Sequence, residues 1–207
     1  MKKISEKIKL IDHIIHLEWE QFDHVKNEGG RASCQDEWDT FYIMRKSQYL
    51  TWTEPLLESF YNDLEEAFEK NWNLITEKYA RMMKSTAPQQ YEKLKDSLPE
   101  IDEKRCQLQE DIIQIQVKWM EDFAEKYPKI AGNSRCIHTF EDDEYNTSYE
   151  TYLRGEIGTY SDKTLKLYKD FISEIKKEKG NLAYEVLNNT AKFYGYNSVE
   201  DAEKNIK

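Results

Sequence analysis

Apolar residues recur along this chain at helical spacing, and no alternating run is long enough to read as a strand. In the first segment Ile4, Ile8, Ile11, Ile15, Phe22 and Val25 share one stripe. Near the other end Leu165, Tyr168, Ile172 and Ile175 repeat the pattern. Extended along the chain, the spacing predicts helices at about 3–26, 36–52, 54–70, 74–86, 88–96, 101–126, 161–179, 181–194 and 198–206. The breakers agree. Thr53-Glu54-Pro55 offers an N-cap, an acid and a first-turn proline, and Ser161-Asp162 offers another start. Gly180-Asn181 separates two helices, Gly195 closes the second of them, and Ser198 opens a short terminal one. No internal repeat is visible.

Residues 127–160 depart from this pattern, with little helical period beyond a short turn at about 148–153. A connection of that length in a compact domain is usually functional or disordered. Tyr145, Tyr149, Tyr152 and Tyr160 argue for an ordered loop packed on the helices, either as a cover over a site or as a structural wrap. The expected fold is therefore all-α: a single domain over 1–207, a multi-helix bundle with one long ordered loop at about 127–160.

Composition narrows the function classes. With 34% charged residues, 13% aromatic residues and only four prolines, the chain reads as a folded helical protein with charged outer faces. Its net charge of −10 argues against nucleic acid or an anionic membrane as a general partner, since both need a positive field. Cys34, Cys106 and Cys136 are odd in number and form no C-x-x-C pair, which fits neither a disulfide framework nor a structural zinc site. Reduced thiols, an amphipathic N-terminal segment and the lack of a long apolar run make a cytoplasmic protein the expectation.

Three helices break their own pattern by directing something polar inward. Glu18 falls in the middle of the first stripe, in the heptad series 4, 11, 18, 25. Arg45 lies among Trp38, Phe41, Tyr42, Tyr49 and Trp52. Arg105 borders the stripe of Ile101, Leu108, Ile112, Ile115 and Trp119, with Gln109 and Gln116 along the same side. A buried carboxylate must be paired, hydrogen-bonded or protonated. These residues predict either a polar pocket inside the bundle or a structural ion-pair network.

The connection Asn27-Glu28-Gly29-Gly30-Arg31-Ala32-Ser33-Cys34-Gln35-Asp36 carries more hydrogen-bonding and nucleophilic chemistry than a helix junction needs. Arg31 beside flexible glycines suits an anion at a helix start. Cys34 precedes a predicted helix, whose dipole would favour a thiolate, although no histidine is close in sequence and a packing role is the simpler account. Arg154, Glu156 and Tyr160, set among Gly155 and Gly158, have a similar texture. His13, His16, Glu20 and His24 share a polar face, but the end histidines are too far apart for one ion and no matching Glu-x-x-His helix exists, so no metal is expected. Glu77 and Arg81 read as a surface pair, and Glu141-Asp142-Asp143-Glu144 as a hydrated run.

Several segments resemble a bacterial family of small proteins classed as a domain of unknown function. They are Glu18-Trp19-Glu20, the Asn27–Gln35 stretch, Phe41-Tyr42-Ile43-Met44-Arg45, Leu74 through Met83, and Tyr152-Leu153-Arg154-Gly155-Glu156. The resemblance implies a stand-alone bacterial domain, carries no established activity, and extends to domains fused to nucleotidyltransferase-like partners. The leading expectation is a small polar or anionic ligand held in an intra-bundle pocket, with no cofactor identified. Glu28, Arg31, Gln35, Arg45, Arg105 and Gln116 would bind it, Arg154 and Tyr160 would be second-choice lining residues, and Glu18 and Cys34 would be the acid/base and nucleophile of any reaction. The alternative is a non-catalytic helical interaction module that partners another enzyme, such as a nucleotidyltransferase-like protein. An exposed aromatic patch would favour the module, and a closed polar pocket the ligand.

Overall fold

The computed structural model describes residues 2–27 and 29–206, with side chains from Glu6 onward. Among them are eleven α-helices and no strand: α1 (Lys2–Asp23), α2 (Trp38–Tyr49), α3 (Glu54–Glu69), α4 (Leu74–Thr86), α5 (Pro88–Leu94), α6 (Glu103–Lys126), α7 (Pro128–Gly132), α8 (Tyr149–Gly158), α9 (Asp162–Lys177), α10 (Leu182–Phe193) and α11 (Val199–Asn205). The caps follow the local chemistry. Asp102, Ser148, Asn181 and Ser198 each accept a hydrogen bond from the backbone N–H three residues on. Ser161 does the same for Thr164 at the head of α9. Thr53 occupies the expected N-cap of α3, but its side chain makes no capping bond, and Pro55 supplies the start instead. No helix of the described residues is long and apolar enough to cross a membrane.

The stretch expected as one long loop is ordered, but it holds α7, a 3-10 turn at Thr139–Glu141, and the ten-residue α8. Helix α8 escaped the periodic reading because it has no wet face of ordinary width. Thr151, Leu153, Gly155, Glu156, Ile157 and Gly158 are all buried, on more than one side, and two of them are glycines. A helix buried nearly all round shows no amphipathic stripe.

The chain divides into two compact units. The first comprises Met1–Thr76 with Tyr160–Phe171. Here α1 packs on α2 and α3, directing Ile11, Ile14, Ile15 and Phe22 inward. Tyr49, Trp52, Phe60, Tyr160 and Tyr168 form an aromatic core with neighbouring ring centroids 4.9–6.1 Å apart. Such pairs add about 0.5–1.5 kcal/mol each beyond the area they bury. The second unit comprises Glu77–Thr159 and Ile172–Lys207. Its axis is α6, against which α8 and α10 pack, with α7 and α11 closing one end. Ile112, Ile113, Val117 and Phe123 of α6 are buried, as are Leu153 and Ile157 of α8.

Candidate functional site

Helical spacing puts Glu18 on the inner face of α1, where it is 1% exposed, and Arg45 on the inner face of α2. The two meet. Arg45 Nη2 donates to Glu18 Oε1 at 2.5 Å and Nε to Oε2 at 2.9 Å, the planar two-point grip that a guanidinium makes on a carboxylate. One turn along α2, the Tyr49 hydroxyl donates to Oε2 at 2.7 Å and accepts from Arg45. Arg45 Nη1 donates to Gln48 Oε1 at 3.0 Å, and the guanidinium carbon stands 4.8 Å from the Tyr49 ring centroid. Both carboxylate oxygens and all three guanidinium nitrogens are thus engaged within the first unit. Tyr160 belongs to the aromatic core of that unit, in ring contact with Trp52, Phe60 and Tyr168.

The 27–36 connection is a clamp on the end of α1. Buried Gln35 donates through Nε2 to the carbonyl of Phe22 (2.8 Å), which also accepts from Val25 N, and to that of Val25 (3.1 Å), just past the end of α1. Its Oε1 accepts from Ala32 N (2.9 Å) and Asn27 Nδ2 (3.1 Å). Arg31 is half-exposed and donates to Asp23 Oδ1 at 2.6 Å, Asp36 Oδ1 at 2.9 Å and the Gln35 carbonyl at 2.7 Å. The bonds to Asp23, then Asp36, raise its pKa. A guanidinium already between two carboxylates is a poor anion receptor. Gly30, at φ +88°, supplies the left-handed residue that the turn requires. Cys34 is exposed on a 3-10 turn, Ser33–Asp36, and α2 begins four residues later, so the thiol does not sit at a helix start as expected. Glu28 lies outside the described residues.

In the second unit the inward side chains of α6 match α8 from end to end. The Tyr149 hydroxyl, at the start of α8, donates to Gln116 Oε1 at 3.5 Å. Gln109 Nε2 donates to the Ile157 carbonyl at 3.3 Å and Arg105 Nη2 to the Gly158 carbonyl at 3.5 Å. These carbonyls end α8, so Gln109 and Arg105 cap an antiparallel neighbour. Between them Arg154 grips Glu110 at 2.6 and 2.9 Å, reaches Glu150 at 2.7 Å and donates to Thr139 Oγ1 at 3.0 Å. The Glu110 bond, set against burial, pushes the Arg154 pKa upward.

Two charged groups were missed. Lys78 of α4 is buried and donates to Glu156 Oε2 at 2.7 Å, with its ammonium 3.5 Å from the Tyr152 ring centroid. It stands in line with Leu74 and Met82, so the periodic test that found Glu18 would have found it. The Glu77–Arg81 pair forms as expected, at 2.7 Å, but Glu77 is buried and Arg81 also donates to the Pro99 carbonyl. The second is Asp142, expected only as part of a hydrated run but turned inward in the structure. Its Oδ2 accepts from Ser85 Oγ (2.5 Å) and Thr151 Oγ1 (2.6 Å), and its Oδ1 from Ser148 N (2.7 Å). Burial would raise this carboxyl, but those bonds outweigh it and hold it below the usual carboxylate range. No spacing rule marks it, because its donors come from the end of α4 and the start of α8, which are far apart in sequence.

Asp142 fixes a loop that displays aromatic rings. Phe140 is 84% exposed and Tyr145 is 88% exposed. Phe140 stacks on His138 with centroids 5.0 Å apart. Glu141 Oε2 accepts from His138 N and Glu150 Oε2 from Thr139 N, both at 2.9 Å. Asp143 Oδ1 accepts from Tyr145 N at 2.7 Å and Asn146 N at 2.8 Å. The backbone is therefore held on both sides of each exposed ring.

A family model described as "Protein of unknown function (DUF4125)" matches residues 8–204, nearly the whole chain. The chain belongs to this family. No curated protein and no solved structure matches it. The match covers both units, including the 27–36 clamp, the Glu18–Arg45 pair and the 138–146 loop. Membership brings no activity with it. An open groove of about 450 Å³ runs along the start of α6, lined by Glu103, Lys104, Gln107, Leu108 and Asp111, none of them among the expected site residues.

Proposed function

We propose that this chain is a non-catalytic interaction module, a helical body that presents the 138–146 loop to a protein partner. The observation that carries this reading is the exposure of Phe140 and Tyr145 on a backbone already fixed by Asp142, Asp143, Glu141 and Glu150. Aromatic side chains are the commonest anchors of protein interfaces, and a loop ordered before binding loses little entropy on docking. Exposed thiols at Cys34 and Cys106 suit a reducing compartment, which supports a bacterial cytoplasm as the place where the module works.

The small-ligand reading has less behind it. Glu18 and Arg45 satisfy each other within the first unit, Arg31 is taken up by two carboxylates, and Arg105 and Gln116 hold α8 within the second. The test is paired capture. Wild type and a Phe140→Ala/Tyr145→Ala variant of unchanged melting temperature are each used as bait in cells that make the protein. A partner held by wild type and lost by the variant is the expected result. Equal retention by both baits would sink the module reading at this loop. Native mass spectrometry checks the competing idea: extra non-covalent mass on the purified chain, lost in Glu18→Gln, would return the argument to a ligand.

A further inference from the structure

We propose that the surface met by this loop is a basic patch of a partner protein, with an apolar recess for Phe140 and cationic side chains around it. The inference rests on the module reading and specifies its partner. Between Cys136 and Asn146 the chain has four acids, Glu141, Asp142, Asp143 and Glu144, and no lysine or arginine. The bonds that hold Asp142 and Asp143 come from hydroxyls, amide N–H groups and the Asn146 side chain, all neutral donors, while the flanking cations Arg135 and Arg154 donate to the Thr147 carbonyl and Thr139 Oγ1 instead. Both are held below the usual carboxylate range. The loop thus offers two aromatic rings framed by negative charge.

That combination selects among occupants. Phosphate-bearing surfaces, whether nucleic acid or anionic lipid, meet four negative charges and are repelled. A second copy of the chain would bring an identical acidic loop on a body of net charge −10. A basic protein surface is attracted at long range and desolvates the rings on contact, the usual division between charge for steering and aromatics for affinity.

The experiment places a photo-crosslinking phenylalanine derivative at Phe140 of the full chain, and at exposed Phe193 as a control, in cells that make the protein. The linked partner segment is mapped, and the partner's affinity is measured by titration for wild type, Glu144→Lys, Glu141→Lys/Glu144→Lys and, to separate charge from the bond that Glu141 accepts from His138 N, the neutral Glu141→Gln/Glu144→Gln. The proposal expects a link at 140 and not at 193, into a Lys/Arg-rich segment. It also expects at least a tenfold affinity loss in the double charge reversal, a smaller loss in Glu144→Lys, and weakening with added salt. A link into a neutral or acidic segment, a link to a second copy of the chain, or charge-reversal affinities within twofold of wild type would overturn the basic partner. Where Phe140→Ala/Tyr145→Ala still loses the partner, the module reading survives that result. No link at 140 overturns both.

Discussion

A carboxylate sealed between two helices is stable only while its counter-charge is in place, and Glu18 sets that condition for the first unit. Glu18→Gln keeps the shape but leaves the Arg45 guanidinium buried without a countercharge, a loss of about 3–5 kcal/mol. Apolar replacement of the whole cluster, Glu18→Leu/Arg45→Met/Tyr49→Phe, removes the need for charge and should recover most of that loss. Urea denaturation of the two variants checks this. Equal destabilisation of both would mean that the pair does more than neutralise itself. The heptad series was enough to mark Glu18 as inward, and the aromatic neighbours did the same for Arg45. What spacing could not reveal was that the two join each other while Arg105 and Gln116 belong to another unit, because a helical period fixes a face and not the element that covers it.

At the scale of elements, the legible helices were those with one wet face and a chemical cap, such as α9 with Ser161 and α10 with Asn181. Helix α8 was hidden by its burial, and its glycines, read as loop texture, have a packing reason instead. A Cβ on Gly155 would stand 2.9 Å from the Lys78 carbonyl oxygen and 2.7 Å from Met82 Cγ. Gly155→Ala must therefore push α4 and α8 apart, at a cost of about 1–3 kcal/mol. In a chain of this size that lowers the melting temperature by roughly 2–4 °C per kcal/mol. An unchanged melting temperature would show that the seam yields freely. The 27–36 connection reads in the same way. Its unusual side chains were visible in sequence, but their targets, the carbonyls of Phe22 and Val25 at and just past the end of α1, come within reach only once the helix stops at Asp23. Gln35→Ala leaves the Phe22 carbonyl its bond from Val25 N but strips the Val25 carbonyl of its side-chain donor, and should destabilise the first unit by about 1–3 kcal/mol without changing partner capture through the loop. Loss of capture together with stability would tie the clamp to the binding surface.

For the molecule as a whole, acid is the informative stress, because several carboxylates of the second unit are held ionised by the fold. Glu200 is the largest case. The Tyr127 hydroxyl donates to it at 2.6 Å and that of Tyr184 at 3.2 Å, tying α11 to the end of α6 and to α10. The Tyr127 bond, then the Ser198 and backbone bonds, lower its pKa to about 2. Asp142, Asp143 and Asp201 shift in the same direction. For a lowered carboxyl the unfolded chain takes up protons first, so the stabilisation is complete above the ordinary carboxylate pKa and drains away as pH falls toward the folded value. Glu185, raised by burial and then by Glu178, works the other way and softens the upper edge of the window. The urea midpoint should therefore hold down to about pH 5 and decline below it. Glu200→Gln has no proton to take up at that position. It should be less stable than wild type at pH 7, with the gap narrowing as pH drops from about 4.5 toward 2. A gap that stayed constant with pH would assign the loss to packing of α11 and remove the charge from the account.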